Sequence, residues 1–206
     1  MVSSYPVTFD VDYPARPLDR LTTGLRIFVV IPILIVLATM PMDTYHSSTR
    51  STMSNMSIGG GLVFVPLVLM LVFRQKYPRW WFDFNLNVLR FSSRVLAFCA
   101  LLDDRYPSTD EEQAVHLDFP YPDALQLNRW LPLIKWLLAI PHYLVLVFLL
   151  FAAFGAIIGA WFAILFTGSY PRGLFDFVVG VFRWGNRVNG YAFALVTDQY
   201  PPFRLS

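Results

Sequence analysis

Two groups of ionisable residues recur at matched spacing and are the first candidates for chemistry: Asp83, Arg90 and Arg94, then Asp176, Arg183 and Arg187, each 93 positions further on. Wound as helices, each group lines a narrow stripe beside an apolar face. Arginines so placed suit lipid headgroups or a partner surface, with Asp83 or Asp176 pairing locally. Ionisable residues in a membrane setting are costly and often functional, so substrate binding is the rival use. Nothing in the stripe implies catalysis, and no catalytic residue is assigned. His142, in Ile140-Pro141-His142-Tyr143, has the chemistry to ligate a cofactor or relay a proton. The matched position earlier in the chain is Ile33, so there is no paired ligand and a hydrogen-bonded structural histidine is expected.

The remaining motifs point away from cofactors. His46 and His116 have no metal-ligand spacing to Cys99 or to each other. Asp10 and Asp12 alternate with Val7, Phe9 and Val11, the pattern of a short strand or extended segment before Tyr13-Pro14. A similar stretch holds Val115, Leu117 and Phe119 but one Asp, and a metal would require more convergent oxygen ligands. Gly59, Gly60 and Gly61 are followed by no Gly-Lys-Ser/Thr, which excludes a phosphate loop. Cys99 is the only cysteine, so no intrachain disulfide forms. No metal and no cofactor is expected, and an enzyme is the least favoured class.

The elements that must position the arginines come from a self-comparison. Arg20, Arg26 and Ile31-Pro32 fall in register with Arg129, Lys135 and Ile140-Pro141 at a spacing of 109. Tyr77-Pro78-Arg79 and Phe82-Asp83-Phe84 match Tyr170-Pro171-Arg172 and Phe175-Asp176-Phe177 at a spacing of 93. The difference of 16 is a polar stretch, Asp43 to Ser57, between two apolar runs of the first copy. This divides the chain into a first repeat, 1–108, and a second, 109–206. Each repeat is expected to hold a hydrophobic helical hairpin, about 21–73 and about 129–167, then an amphipathic helix, about 79–102 and about 173–196. The amphipathic period is carried by Phe84, Val88, Phe91, Val95, Phe98 and Leu102, and by Phe177, Val181, Trp184, Val188, Tyr191 and Leu195. The predicted class is an all-α membrane protein of two parallel repeats.

The hairpin in the second copy rests on length. Residues 136–166 contain no Asp, Glu, Lys or Arg, and as one helix they would run roughly 46 Å at about 1.5 Å per residue, too long for an upright span. A turn near Ala152 to Gly159 is therefore expected, and Gly155 and Gly159 suit a bend or close packing. The composition, 56% hydrophobic and 15% charged, agrees with a bilayer setting. Met1 to Asp19 carry no signal-peptide pattern. Of the 16 basic residues only Arg50 falls in a hairpin loop, so the positive-inside rule predicts a multi-pass protein with both termini cytoplasmic. Arg26 and Lys135, at the hairpin starts, are expected to snorkel to the headgroups. A net charge of +2 with no basic run excludes nucleic acid as a partner.

Seven of the ten tyrosines precede a proline, a pairing that marks helix boundaries. Tyr77, Arg79, Trp80, Trp81, Tyr170 and Arg172 are the predicted interfacial anchors.

Several segments together resemble a bacterial family of duplicated integral-membrane proteins defined only as a domain of unknown function. They include Arg20-Leu21-Thr22-Thr23, Tyr77-Pro78-Arg79-Trp80, Asp104-Arg105-Tyr106-Pro107-Ser108, Asn128-Arg129-Trp130-Leu131-Pro132 and Thr167-Gly168-Ser169-Tyr170-Pro171-Arg172-Gly173. Trp184, Thr197-Asp198 and Tyr200-Pro201-Pro202-Phe203 complete the pattern. The resemblance implies a protein of the bacterial cytoplasmic membrane and brings no activity with it. The expected role is a non-catalytic accessory or scaffold subunit of a membrane assembly. Its expected partners are membrane lipids and a membrane protein or a second copy. Membrane shaping by hairpins on one leaflet and a small transporter or channel are the alternatives.

Overall fold

The computed structural model describes residues 5–15, 17–39, 67–109 and 111–206. Strand β1 (Thr8–Val11) pairs antiparallel with β2 (Val115–Asp118), with Phe9 opposite Leu117 and Asp10 opposite His116. The alternation read at Val7, Phe9 and Val11 is that of a half-buried strand: Phe9, Val11, Val115 and Leu117 face inward while Thr8, Asp10, His116 and Asp118 are exposed. An isolated ribbon of this size is marginal in water, and this one is held by helices packed on its inner face. The ribbon overturns the all-α expectation. Its two short strands are each legible locally, but their pairing joins segments more than 100 positions apart.

Helix α1 (Arg20–Val29) starts at an Asp19 cap whose carboxylate accepts from the Leu21 amide at 2.9 Å. Helix α2 (Ile31–Thr39) follows at once. A π-form turn (Met70–Arg74) precedes helix α3 (Arg79–Cys99). After β2 and a 3-10 turn (Leu131–Leu133) come α4 (Lys135–Leu138), α5 (Ile140–Thr167) and α6 (Arg172–Ala192). Pro78 and Pro171 stand immediately before α3 and α6, in extended conformation, so these Tyr-Pro pairs do mark boundaries.

The expected turn near Ala152 to Gly159 does not occur, because α5 is one unbroken helix of 28 residues, about 42 Å long at 1.5 Å per residue. Glycine weakens a helix by only about 1 kcal/mol, and a side chain at Gly159 would already be in contact with Leu174 of α6. The helix stops instead at Gly168, whose φ of 76° suits glycine and whose amide returns to the Ile164 carbonyl at 2.7 Å. The two-hairpin architecture is thereby corrected. Among the described residues a single helix, α5, is long and apolar enough to cross a membrane, and a multi-pass topology is not supported. The polar stretch Asp43 to Ser57, with Arg50 and His46, and the start of the first-copy run near residue 58 lie outside the described residues.

Three layers stack in order. Helix α6 lies antiparallel along α5, with Trp184 at His142 near one end and Leu174 at Gly159 towards the other. Its opposite face meets the ribbon, where Phe182 packs edge-on against Phe9 at 6.5 Å and Gly190 admits Val7. Helix α1 lies beside the far end of α5, where the Trp161 indole donates to the Thr23 carbonyl at 3.2 Å. Helix α3 supports β2 on one side and α2 on the other.

Candidate functional site: arginines at the ribbon edges and two buried ion pairs

The four stripe arginines all reach backbone oxygens. A two-stranded ribbon has two unpaired outer edges, and an open edge invites unwanted pairing. Arg183 of α6 closes the β1 edge: Nε donates to the Phe9 carbonyl and Nη2 to the Asp10 carboxylate, both at 2.8 Å. Arg90 of α3 does the same at β2, donating to the Leu117 carbonyl at 2.9 Å and to Asp118 at 3.0 Å. Arg94 donates to the Ser108 carbonyl at 2.6 Å. Arg187 donates through Nη1 to the Arg204 carbonyl and to a main-chain oxygen of Ser206. Asp83 and Asp176 are exposed, and the ion pairs of Arg90 and Arg183 go to ribbon acids instead.

Beside Arg183 a cavity of about 450 Å³ opens between β1, α6 and the tail, lined among others by Tyr5, Asp10, Arg183, Arg187 and Arg204. Arg187 is only 8% exposed. Burial pushes its pKa below the usual arginine range, and the neighbouring guanidiniums of Arg183 and Arg204 push it the same way.

Sequence reasoning missed two buried cations. Arg26 and Lys135 do not snorkel: they are 4% and 0% exposed. Arg26 is ion-paired with Asp104, donates to the carbonyls of Phe98 and Asp103 at 2.8 Å, and lies over the Phe98 ring at 4.3 Å. Lys135 pairs with Asp198 at 2.7 Å, donates to the Thr197 carbonyl at 2.7 Å, and lies 5.3 Å from the Tyr191 ring centre. Desolvation lowers the pKa of both cations, and the partnering aspartate opposes that in each. The second carboxylate oxygen of each aspartate takes a backbone amide, Asp19 N on Asp104 and Asn128 N on Asp198. The signal was present in the chain: Asp104-Arg105-Tyr106-Pro107 and Asp198-Gln199-Tyr200-Pro201 share an Asp-x-Tyr-Pro pattern at a spacing of 94, close to the 93 that relates Arg90 to Arg183.

The other candidates are interior or surface features. His142 is fully buried, accepts at Nδ1 from the Trp184 indole at 3.1 Å and stacks on Phe203 at 4.0 Å. That hydrogen bond matches the expectation of a structural histidine. Asp12 pairs with His116 at 2.9 Å across the ribbon. Of the anchors, Trp80 and Arg79 are exposed, with Arg79 over the Tyr121 ring at 5.5 Å. Arg172 lies over the Tyr13 ring at 4.7 Å, and Trp81 is half-buried. Tyr77 and Tyr170 are interior: the Tyr77 hydroxyl donates to the Ala194 carbonyl at 2.8 Å, and burial pushes both phenols up.

The polar residues that converge thus hold backbone and each other, and the segment that carries α5, α6 and Asp198 is where the chain has relatives. Residues 130–204 match a family described as Domain of unknown function (DUF4389). This bears out the expected resemblance to a family defined only as a domain of unknown function, over that stretch. It covers Lys135, Arg183, Arg187 and Asp198, while both ribbon strands lie before it. No curated protein and no solved structure matches the chain.

Proposed function

We propose that the protein is seated in one leaflet of a membrane through α5 and serves as an accessory or scaffold subunit of a membrane assembly. The observation that carries the reading is the opposite character of the two outer layers. On the outward face of α5, Leu144, Phe148, Phe151, Phe154, Phe162 and Phe166 are exposed, with Phe148 at 74%. The inward face holds His142, Ala153, Ala160 and Ile164, all buried. Leu21, Leu25 and Phe28 of α1, which packs beside α5, are exposed too. Each large aromatic moved from water into hydrocarbon is worth about 1–3 kcal/mol, so the five exposed phenylalanines of α5 favour a membrane by roughly 5–15 kcal/mol.

An upright α5 would carry α6 and the ribbon to the same depth. Asp10, Asp12 and Asp118, exposed on the ribbon, would then cost up to about 2.5–3.5 kcal/mol each in the bilayer centre, cancelling most of that gain. With α5 lying in the plane, the ribbon stands on the order of 20 Å away, in water, because one helix diameter and one sheet spacing intervene.

The test uses single cysteines at Ile140 and Thr167 in a Cys99→Ser background, labelled from one side of sealed vesicles. Both ends react from the same side if α5 lies in the plane, and labelling from opposite sides overturns this seat. For the accessory role, native membranes solubilised in mild detergent should yield the protein together with a membrane-protein partner or a second copy. A preparation that is monodisperse, partner-free and active on a substrate refutes it. A one-leaflet seat also favours membrane shaping as a second reading, since a helix about 42 Å long expands only the leaflet that holds it. Liposomes that keep their size and shape at high protein density would count against that reading.

A further inference from the structure

We propose that the groove between the turn Met70–Arg74 and the start of α3 is a docking site for an anionic phospholipid of the leaflet that seats α5. The inference rests on that seat. What places the groove at the membrane is a match between residues 67–75 and the end of α5, 93 positions further on. Leu67 and Leu71 are buried as Ala160 and Ile164 are, and Leu69 and Phe73 are exposed as Phe162 and Phe166 are, with Phe73 at 71% and Phe166 at 78%. Both stretches end in a left-handed residue, Gln75 with φ 45° and Gly168 with φ 76°, whose amide returns to the Leu71 or the Ile164 carbonyl. Residues 67–73 thus carry the two-faced character of α5, and their inward side chains enter the same core as Ala153 and Ala160.

The match fails at two positions. Where the end of α5 has Thr167 and Ser169, the earlier turn has Arg74 and Lys76. Thr167 and Ser169 satisfy each other, with hydroxyls 3.0 Å apart and the Ser169 amide donating to Thr167 Oγ1 at 3.2 Å. Arg74 and Lys76 are exposed, and among the described residues neither takes part in an ion pair or a hydrogen bond. With Arg79 they bring three cations and no carboxylate to the lining of a groove of about 330 Å³, whose other walls are Met70, Pro78 and Trp80. Arg79 meets the Tyr121 ring and no acid, and Asp83, exposed one turn further along α3, lies outside the lining. The first turn of α3 has neither an acidic residue nor a side-chain cap, so the positive end of its dipole adds to the same potential. Charge alone would suit any acid. Exposed Phe73 and Trp80 beside it select one that brings hydrocarbon, with its phosphate among the three cations and its chains along Met70 and the aromatic rings.

The full chain is reconstituted into phosphatidylcholine vesicles with a varied fraction of phosphatidylglycerol, and bromine is placed on the upper acyl-chain carbons of one lipid or the other. Quenching of Trp80, taken as the difference between the unaltered chain and Trp80→Phe, should reach half its limit at a lower fraction of brominated phosphatidylglycerol than of brominated phosphatidylcholine. A cation near an anionic surface strengthens binding about fivefold, so Arg74→Gln and Lys76→Gln should each raise the half-quenching fraction of phosphatidylglycerol about fivefold. Unfolding in detergent should not change, because neither side chain holds another group. Arg204→Gln, an exposed charge beside the ribbon, should leave the fraction unaltered. Equal quenching of Trp80 by the two lipids, or an Arg204→Gln effect as large as that of Arg74→Gln, overturns the proposal and leaves the seat of α5 standing. Inorganic phosphate that erases the preference at constant ionic strength overturns the lipid in favour of a soluble phosphate compound. If neither lipid quenches any tryptophan, the seat itself fails and this site with it.

Discussion

Replacing Asp198 with Asn should destabilise the fold more than replacing Lys135 with Met, although each removes the same ion pair. Lys135 is 0% exposed and the Asp198 side chain 27%. Asp198→Asn leaves an ammonium buried, with the Thr197 carbonyl and the Tyr191 ring as its partners. Breaking a buried pair in this way costs about 3–5 kcal/mol. Lys135→Met leaves a carboxylate that reaches water and still accepts the Asn128 amide at 2.6 Å, a loss of about 1–2 kcal/mol. At about 2–4 °C per kcal/mol for a chain of this size, Tm should fall by about 12 °C in the first case and about 4 °C in the second.

The pH dependence separates the two further. Burial holds the Lys135 pKa below the usual lysine value and Asp198 partly offsets this, so Asp198→Asn lowers it again. Between that lowered value and the unfolded value of about 10.4 the unfolded chain binds more protons, and stability rises with pH. The deficit of Asp198→Asn is therefore complete below the variant's folded pKa and shrinks as pH rises from there towards the folded pKa of the unaltered chain. Lys135→Met shows no such recovery. Thermal unfolding followed by tryptophan fluorescence in nonionic detergent measures both. Equal losses, or an Asp198→Asn deficit that ignores pH, would falsify the account of a buried cation kept by its counter-ion.

Further outcomes follow from the packing. Arg183→Gln removes three bonds to β1 and the tail and should cost about 1.5–3 kcal/mol. Hydrogen exchange should speed in β1 and not in α6, and uniform acceleration would count against an edge-closing role. A methyl group at Gly190 would stand 2.6 Å from Val7 Cγ2. Gly190→Ala should then lose about 1–3 kcal/mol through overpacking, with most of it recovered in the Val7→Ala, Gly190→Ala pair. Failure of that pair to recover sinks the steric explanation. Phe151→Asp, on the outward face of α5, should leave unfolding in detergent within about 0.5 kcal/mol while weakening retention in carbonate-washed membranes. Undiminished retention contradicts the seat.

Local signals carried the helices well. The apolar spacing from Phe84 to Leu102 and from Phe177 to Leu195 foretold α3 and α6, and Pro78 and Pro171 foretold their starts. The same spacing set Arg90 and Arg183 on one side of each helix but could not show what they touch, because their acceptors are 27 and 174 positions away. Arg26 and Lys135 were misplaced for a related reason. A cation beside an apolar run reads as a headgroup anchor until its aspartate, 78 or 63 positions on, folds over it. The α5 hairpin came from comparing a length with an upright bilayer, when a helix lying against α6 has no thickness to match.

The ribbon also sets an order of events during synthesis. Phe9 pairs with Leu117, and among the described residues the outer edge of β1 is closed by Arg183. At about 5–20 residues per second, β1 leaves the ribosome roughly 5–20 s before its partner strand and longer still before its cap. Throughout that interval β1 is a half-apolar strand with both edges open. A chaperone, or a membrane surface that takes up α1 early, would protect it, and the second half of the chain decides when that protection ends.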